Sequence, residues 1–88
     1  MCSFWTAKFT GTFKGGYKGL DEETKRRAAT AIEKLLASSD PRREGHRLHG
    51  PWKGCYSYEM GLKYRLIYGV DVERKEIEFL AVGAHKIY

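Results

Sequence analysis

Three runs in the last third of the chain constrain its fold most. Cys55 to Glu59, Lys63 to Val70 and Ile77 to Val82 each have strand length and strand composition, and they are joined by short connections at Met60-Gly61-Leu62 and Asp71 to Glu76. Such connections fit an antiparallel meander, because a parallel return needs a crossover of a dozen residues or more. In the middle run Tyr64, Leu66, Tyr68 and Val70 share one face at period two, which sends Arg65 to the other face. Burial then selects the register of the first hairpin. With the loop Met60-Gly61-Leu62, Tyr56 and Tyr58 lie opposite Leu66 and Tyr64 on one apolar face, and Ser57 and Glu59 share the opposite face with Arg65. A loop one residue shorter would place Ser57 and Glu59 in the core, where an unpaired polar group is costly.

Upstream the pattern changes. Ser3 to Thr10 alternates well enough for a first strand with both faces partly covered. From Thr12 to Lys18, Phe13 and Tyr17 suit one helix face, but Gly15 and Gly16 each cost about 1 kcal/mol relative to alanine, which predicts a short, irregular helix. Glu22 to Ala37 is the strongest helix: acids stand at its start, and Ala28, Ala31, Ile32, Leu35 and Leu36 form an apolar stripe. Pro41 to Gly54 has no period and reads as a long loop, a kind of segment that is usually functional when it occurs inside a small domain. The sum is an α+β chain: an N-terminal strand, two helices, and a three-stranded antiparallel meander forming one sheet packed on the helices.

At 88 residues the chain makes one domain, residues 1–88, without room for a cavity the size of a large cofactor. Its formal net charge of +5 favours an acidic or polyanionic partner. Two cysteines, Cys2 and Cys55, are too few for a disulfide framework, and neither a membrane-spanning apolar run nor a signal-peptide core is visible. The expected setting is the reducing cytoplasm, with no membrane association. Val82-Gly83-Ala84-His85-Lys86-Ile87-Tyr88 then brings an imidazole and a phenol to the end of the last strand, on a sheet that already carries Arg65. That set points to phosphate chemistry.

The order of elements, together with Gly50-Pro51-Trp52-Lys53-Gly54-Cys55-Tyr56, Tyr64-Arg65-Leu66-Ile67-Tyr68 and Val82 to Tyr88, resembles the RelE/ParE toxin superfamily over essentially the whole chain. The pattern is most similar to the ribosome-dependent mRNA interferases of the YafQ, YoeB and RelE types. The resemblance implies a toxin of a type II toxin–antitoxin system that cleaves mRNA on the ribosome through the ribose 2′-hydroxyl, with a cognate antitoxin, the ribosome and mRNA as partners. It implies His46 as general base, Arg65 as the phosphate-gripping strand arginine, His85 as general acid and Tyr88 as the terminal aromatic that positions the substrate. His49 falls on a position that is basic in YoeB-like members. Ser57 and Glu59 stand where RelE-like members carry lysines, so a lysine-based mechanism is not implied. The superfamily also contains ParE-like poisons of DNA gyrase, which generally lack the paired histidines, and an attenuated homologue that binds RNA or ribosomes without cutting is a third class.

The chemistry fits those residue types. Attack by a 2′-hydroxyl needs a group to take its proton, another to protonate the leaving 5′-oxygen, and positive charge on the phosphorane. Imidazoles titrate near neutrality, and a guanidinium matches phosphate oxygens in pairs. His46, His85 and Arg65 supply this set with neither metal nor small-molecule cofactor, and Arg42, Arg43, Arg47, His49, Lys53 and Lys86 supply a basic rim for the RNA backbone. Other roles compete: Arg65 can pair with Glu59 on the adjacent strand, and Trp52 can plug the core beneath the long loop. His46-x-x-His49 with Cys55 or His85 fits no standard zinc spacing.

Overall fold

The computed structural model describes residues 5–50, 54–61 and 63–84. In chain order the elements are β1 (Thr6–Phe9), α1 (Gly11–Lys18), α2 (Glu22–Ala37), a 3-10 turn (Pro41–Arg43), β2 (His46–Arg47), β3 (Cys55–Glu59), β4 (Tyr64–Asp71) and β5 (Glu76–Ala84). The sheet has five strands in the order β1-β5-β4-β3-β2; β1 runs parallel to β5, and the other neighbours are antiparallel.

Helix α2 has the predicted bounds because its ends are chemically marked. The Asp21 side chain accepts from the Thr24 amide at 2.8 Å, Glu22 and Glu23 occupy the first turn, and Lys34 lies in the last. Its stripe of Ala28, Ala31 and Leu35 is buried against the sheet, with Ile32 and Leu36 at the margin. Trp5 fastens the far end: its indole N–H donates to the Ser38 carbonyl at 2.8 Å.

Helix α1 is regular over all 8 of its residues, contrary to the irregular helix its glycines predict. Tertiary contacts outweigh the propensity cost here. The Thr10 hydroxyl caps the helix by accepting from the Phe13 amide at 3.1 Å and donates to the Leu80 carbonyl of β5 at 2.9 Å. Phe13 is buried in the core, and a Cβ at Gly16 would collide with the Val82 carbonyl oxygen, so that glycine allows α1 to lie directly on β5.

Helices and sheet enclose a core of Leu66, Tyr68, Ile77, Phe79 and Val82 with Trp5, Phe13 and the α2 stripe. Ile67 pairs with Ala81 and Tyr68 with Phe79, so Leu80 is an extra residue in β5. This bulge changes the side-chain parity, and Val82, Phe79 and Ile77 all reach the helix side.

The β3–β4 register differs from the predicted one. Tyr56 pairs with Tyr68, Tyr58 with Leu66 and Glu59 with Arg65, a shift of two residues. A shift of two keeps every side chain on its face. Burial therefore identified the faces and could not distinguish the two registers. The predicted loop from Pro41 to Gly54 is also more ordered than expected, since it contains the 3-10 turn and the edge strand β2. Among the described residues no helix is long and apolar enough to cross a membrane.

Candidate functional site

The face of the sheet turned away from the helices is set by pairing. His46 pairs with Ser57, Ser57 with Ile67, and Glu59 with Arg65, and residues directly opposite one another project to the same side. His46, Ser57, Glu59, Ile67 and Arg65 thus share this face. It is covered in the middle: Ser57 is 1% and Ile67 0% exposed, while the margins at His46 and Glu59 are accessible. From strand and residue spacings, the backbones of His46 and Arg65 are roughly 12 Å apart.

Arg65 lies 3.3 Å from the Glu59 carboxylate, so the structural pairing foreseen in the sequence is present. Its side chain is 24% exposed against 55% for Glu59, which leaves this ion pair within reach of solvent and of an anion. A phosphate would have to compete with Glu59 for the guanidinium.

His46 depends on an unusual anchor. Tyr68 is fully buried, and its hydroxyl donates to the Pro41 carbonyl at 2.7 Å, which ties the segment leading into β2 to the middle of the sheet. Burial pushes the Tyr68 phenol well above its ordinary range, with the nearby Glu44 adding to the shift, so the group remains a neutral donor. Gly45 fits the same contact: a Cβ there would come within 2.6 Å of the Ser57 carbonyl oxygen and 2.7 Å of the Tyr68 hydroxyl. A side chain at Gly45 would push β2 off β3. Sequence reasoning placed Tyr68 in the core and missed its role as a clamp, because the partner is a backbone carbonyl 27 residues away.

The basic rim is only partly assembled. Arg42 is bound to Asp40 through Nε at 2.9 Å and a second nitrogen at 3.3 Å, and Arg43 approaches the same carboxylate at 3.7 Å. The Arg42 hydrogen bond holds the Asp40 carboxyl below its usual range. Arg42 is therefore engaged within the protein, while Arg43 keeps 87% of its side chain exposed. Arg47 pairs with Tyr56 and so projects to the opposite face from His46, although it is exposed at the sheet edge. His49 is exposed too. Trp52, Lys53, His85, Lys86 and Tyr88 lie outside the described residues.

A second surface feature was not foreseen. Phe9, Phe13, Tyr17, Ala29 and Ile32 line an apolar groove of about 460 Å³ beside the α1–α2 pair, with Lys14 and Lys18 at its border. Phe9, 39% exposed, stacks on Phe79 at 5.2 Å and links the groove to the core. The i, i+4 spacing of Phe13 and Tyr17 was visible in the sequence, but the gap beside them depends on how the helices sit.

Comparison with known proteins agrees with this architecture. The family model described as "ParE toxin of type II toxin-antitoxin system, parDE" matches residues 5–87. No curated protein matches the chain. Among solved structures, the archaeal RelE–RelB complex from Pyrococcus horikoshii OT3 is similar at 22% identity and a TM-score of 0.75, covering 97% of this chain and 99% of that one. The YoeB/ParE toxin from Agrobacterium tumefaciens has 15% identity and a TM-score of 0.76, covering 91% and 98%. The RelBE toxin–antitoxin complex from Escherichia coli has 18% identity and a TM-score of 0.74, covering 93% and 98%. At these identities the likeness is one of fold.

Proposed function

The chain belongs to the ParE toxin family of type II toxin–antitoxin systems, within the RelE/ParE superfamily, and from that premise we propose that it is a metal-independent endoribonuclease that cuts mRNA on the ribosome. The observation that carries this reading is the placement of His46 and Arg65 on one sheet face. In this scheme His46 takes the proton from the ribose 2′-hydroxyl, which attacks the adjacent phosphorus. Arg65 leaves Glu59 for the phosphate and stabilises the charge that develops on the phosphorane. His85 protonates the departing 5′-oxygen, and Tyr88 positions the nucleotide. The products carry a 2′,3′-cyclic phosphate and a 5′-hydroxyl. Arg43, Arg47, His49, Lys53 and Lys86 hold the RNA backbone, and Arg42 contributes less because Asp40 engages it. The reaction takes place in the cytoplasm, where the ribosomes are.

The partner in this reading is an antitoxin. The solved RelE–RelB and RelBE structures are complexes of toxin with antitoxin. An amphipathic segment with acidic side chains would suit a chain of net charge +5 and the groove lined by Phe9, Ile32, Lys14 and Lys18.

A second reading, a DNA gyrase poison with no catalysis of its own, is favoured by the name of the matching family. Induction in growing cells separates the two. The nuclease reading expects growth arrest with new mRNA 5′ ends at fixed codon positions, absent in His46→Ala and Arg65→Ala. A DNA-damage response with intact mRNA would replace it with the gyrase reading.

A further inference from the structure

Among the described residues, the Ser57 hydroxyl is a buried side-chain polar atom with no hydrogen-bond partner. Such a group is expensive to keep out of water and calls for an explanation. Its surroundings on the sheet leave few candidates. On one side the directly opposite residue is Ile67, which offers no polar atom in its side chain; on the other it is His46. Cys55 and Glu59 lie two positions away along β3, roughly 7 Å off. Directly opposed side chains in an antiparallel pair have Cβ atoms about 4.5–5.5 Å apart, a gap that a serine hydroxyl and an imidazole Nδ1 can close by rotation about their own side-chain bonds. Strand β2 is held in place by the Tyr68 clamp at Pro41, so little more than side-chain freedom has to be given up.

We propose that Ser57 is a positioning residue for His46: its hydroxyl accepts from Nδ1–H of the imidazole and so leaves Nε2 unprotonated and directed away from the sheet. The hydrogen bond at one ring nitrogen decides which tautomer the other presents. A ring held this way has its lone pair at the nitrogen farther from the backbone, where a bound ribose would meet it. The inference rests on the reading of His46 as general base for its catalytic meaning, but the contact itself belongs to the free protein.

The test is nitrogen NMR of the histidine side chains in the isolated protein, at a pH where the ring is neutral, with His46→Gln used to assign the signals. One neutral hydrogen bond corresponds to about a fivefold bias between tautomers. The wild type should favour Nδ1–H at His46 by about that factor over Ser57→Ala, and Ser57→Thr, which keeps the hydroxyl, should retain the bias. An identical tautomer ratio in the wild type and Ser57→Ala overturns the proposal. A double-mutant cycle between Ser57→Ala and His46→Ala gives a second measure: coupling of about fivefold in the unfolding constant supports the contact, and additivity of the two substitutions overturns it. A tautomer shift without any loss of mRNA cleavage in Ser57→Ala supports the positioning contact and removes the general-base reading of His46.

Discussion

The two faces of β3 and β4 are made from adjacent residues and behave as different materials. On the helix side, Tyr56 stacks on Tyr68 at 5.6 Å, and Phe13, Phe79 and Phe9 continue the aromatic contacts across the sheet. There, even the one deeply buried phenol has a partner, the Pro41 carbonyl. The other face carries an ion pair, an edge imidazole and a buried hydroxyl without a hydrogen bond. Among the described residues, the buried polar side chains of the first face are satisfied within the chain, whereas the second presents an exposed imidazole and a solvent-accessible ion pair to a ligand. Stability should therefore depend mainly on the first and activity on the second.

The widest separation between the faces is expected at Arg65. Arg65→Ala should lower mRNA cleavage by on the order of 100–1000-fold, the usual cost of losing a group that stabilises transition-state charge. Its effect on stability should be smaller than its effect on cleavage, because Glu59, more than half exposed, remains solvated once this pair is broken. Cleavage on ribosomes and thermal melting, measured on the same preparation, check both halves; a large fall in melting temperature would erase the distinction between the faces. The mirror experiment is Phe79→Ala on the helix side, which should destabilise the fold by about 3–5 kcal/mol by leaving a cavity in the core. Denaturant unfolding would measure it, and a loss under 1 kcal/mol would show that this face is less tightly packed than its ring contacts indicate.

Tyr68→Phe probes the connection between the faces. It keeps the ring and removes the donor to Pro41, so stability should fall by about 1–3 kcal/mol. Amide hydrogen exchange should accelerate in Arg42 to Arg47 more than in α2. Uniform acceleration would mean that Tyr68 supports the whole fold and does not specifically hold the strand bearing His46.

The smallest effect should come from Asp21, the N-cap of α2. Its carboxyl is held below its ordinary range by the hydrogen bond to Thr24. A depressed folded-state value means that the cap stabilises above the unfolded-state value and is lost as pH falls through the folded-state value. Asp21→Ala should melt slightly earlier than the wild type at neutral pH, and the difference should disappear in strong acid. A difference that persists there would assign the effect to something other than the carboxylate.

Local pattern was enough for much of this architecture. Asp21, the acids after it and the stripe from Ala28 to Leu36 gave α2 its bounds, because capping and amphipathicity act within a few residues of where they are written. Alternation in Tyr64 to Val70 likewise put Arg65 and the tyrosines on opposite faces, and this is the part of the candidate site that was legible from sequence. His46 was visible as a residue and through family resemblance, but its place was not: His46-Arg47 is too short a run to show a period, and only pairing with β3 makes it a strand.

The remaining features depended on contacts between segments distant in the chain. Gly16 lowers helix propensity locally, yet it permits the approach of α1 to Val82. The two-residue choice of register preserved every face, so hydrophobic pattern carried no information about it. Leu80 became the bulge residue through the pairing of β5 with β4, although nothing in its immediate neighbours marks it. Pro41, Tyr68, Gly45 and Ser57 meet only once the sheet has formed. The sequence by itself determined which side chains of α2, β3 and β4 face the core and which chemistry is available, since periodicity and residue type are local properties. The tertiary structure decided which of those chemical groups stand together, because distance across a sheet depends on register, bulges and anchors set by residues far apart in the chain.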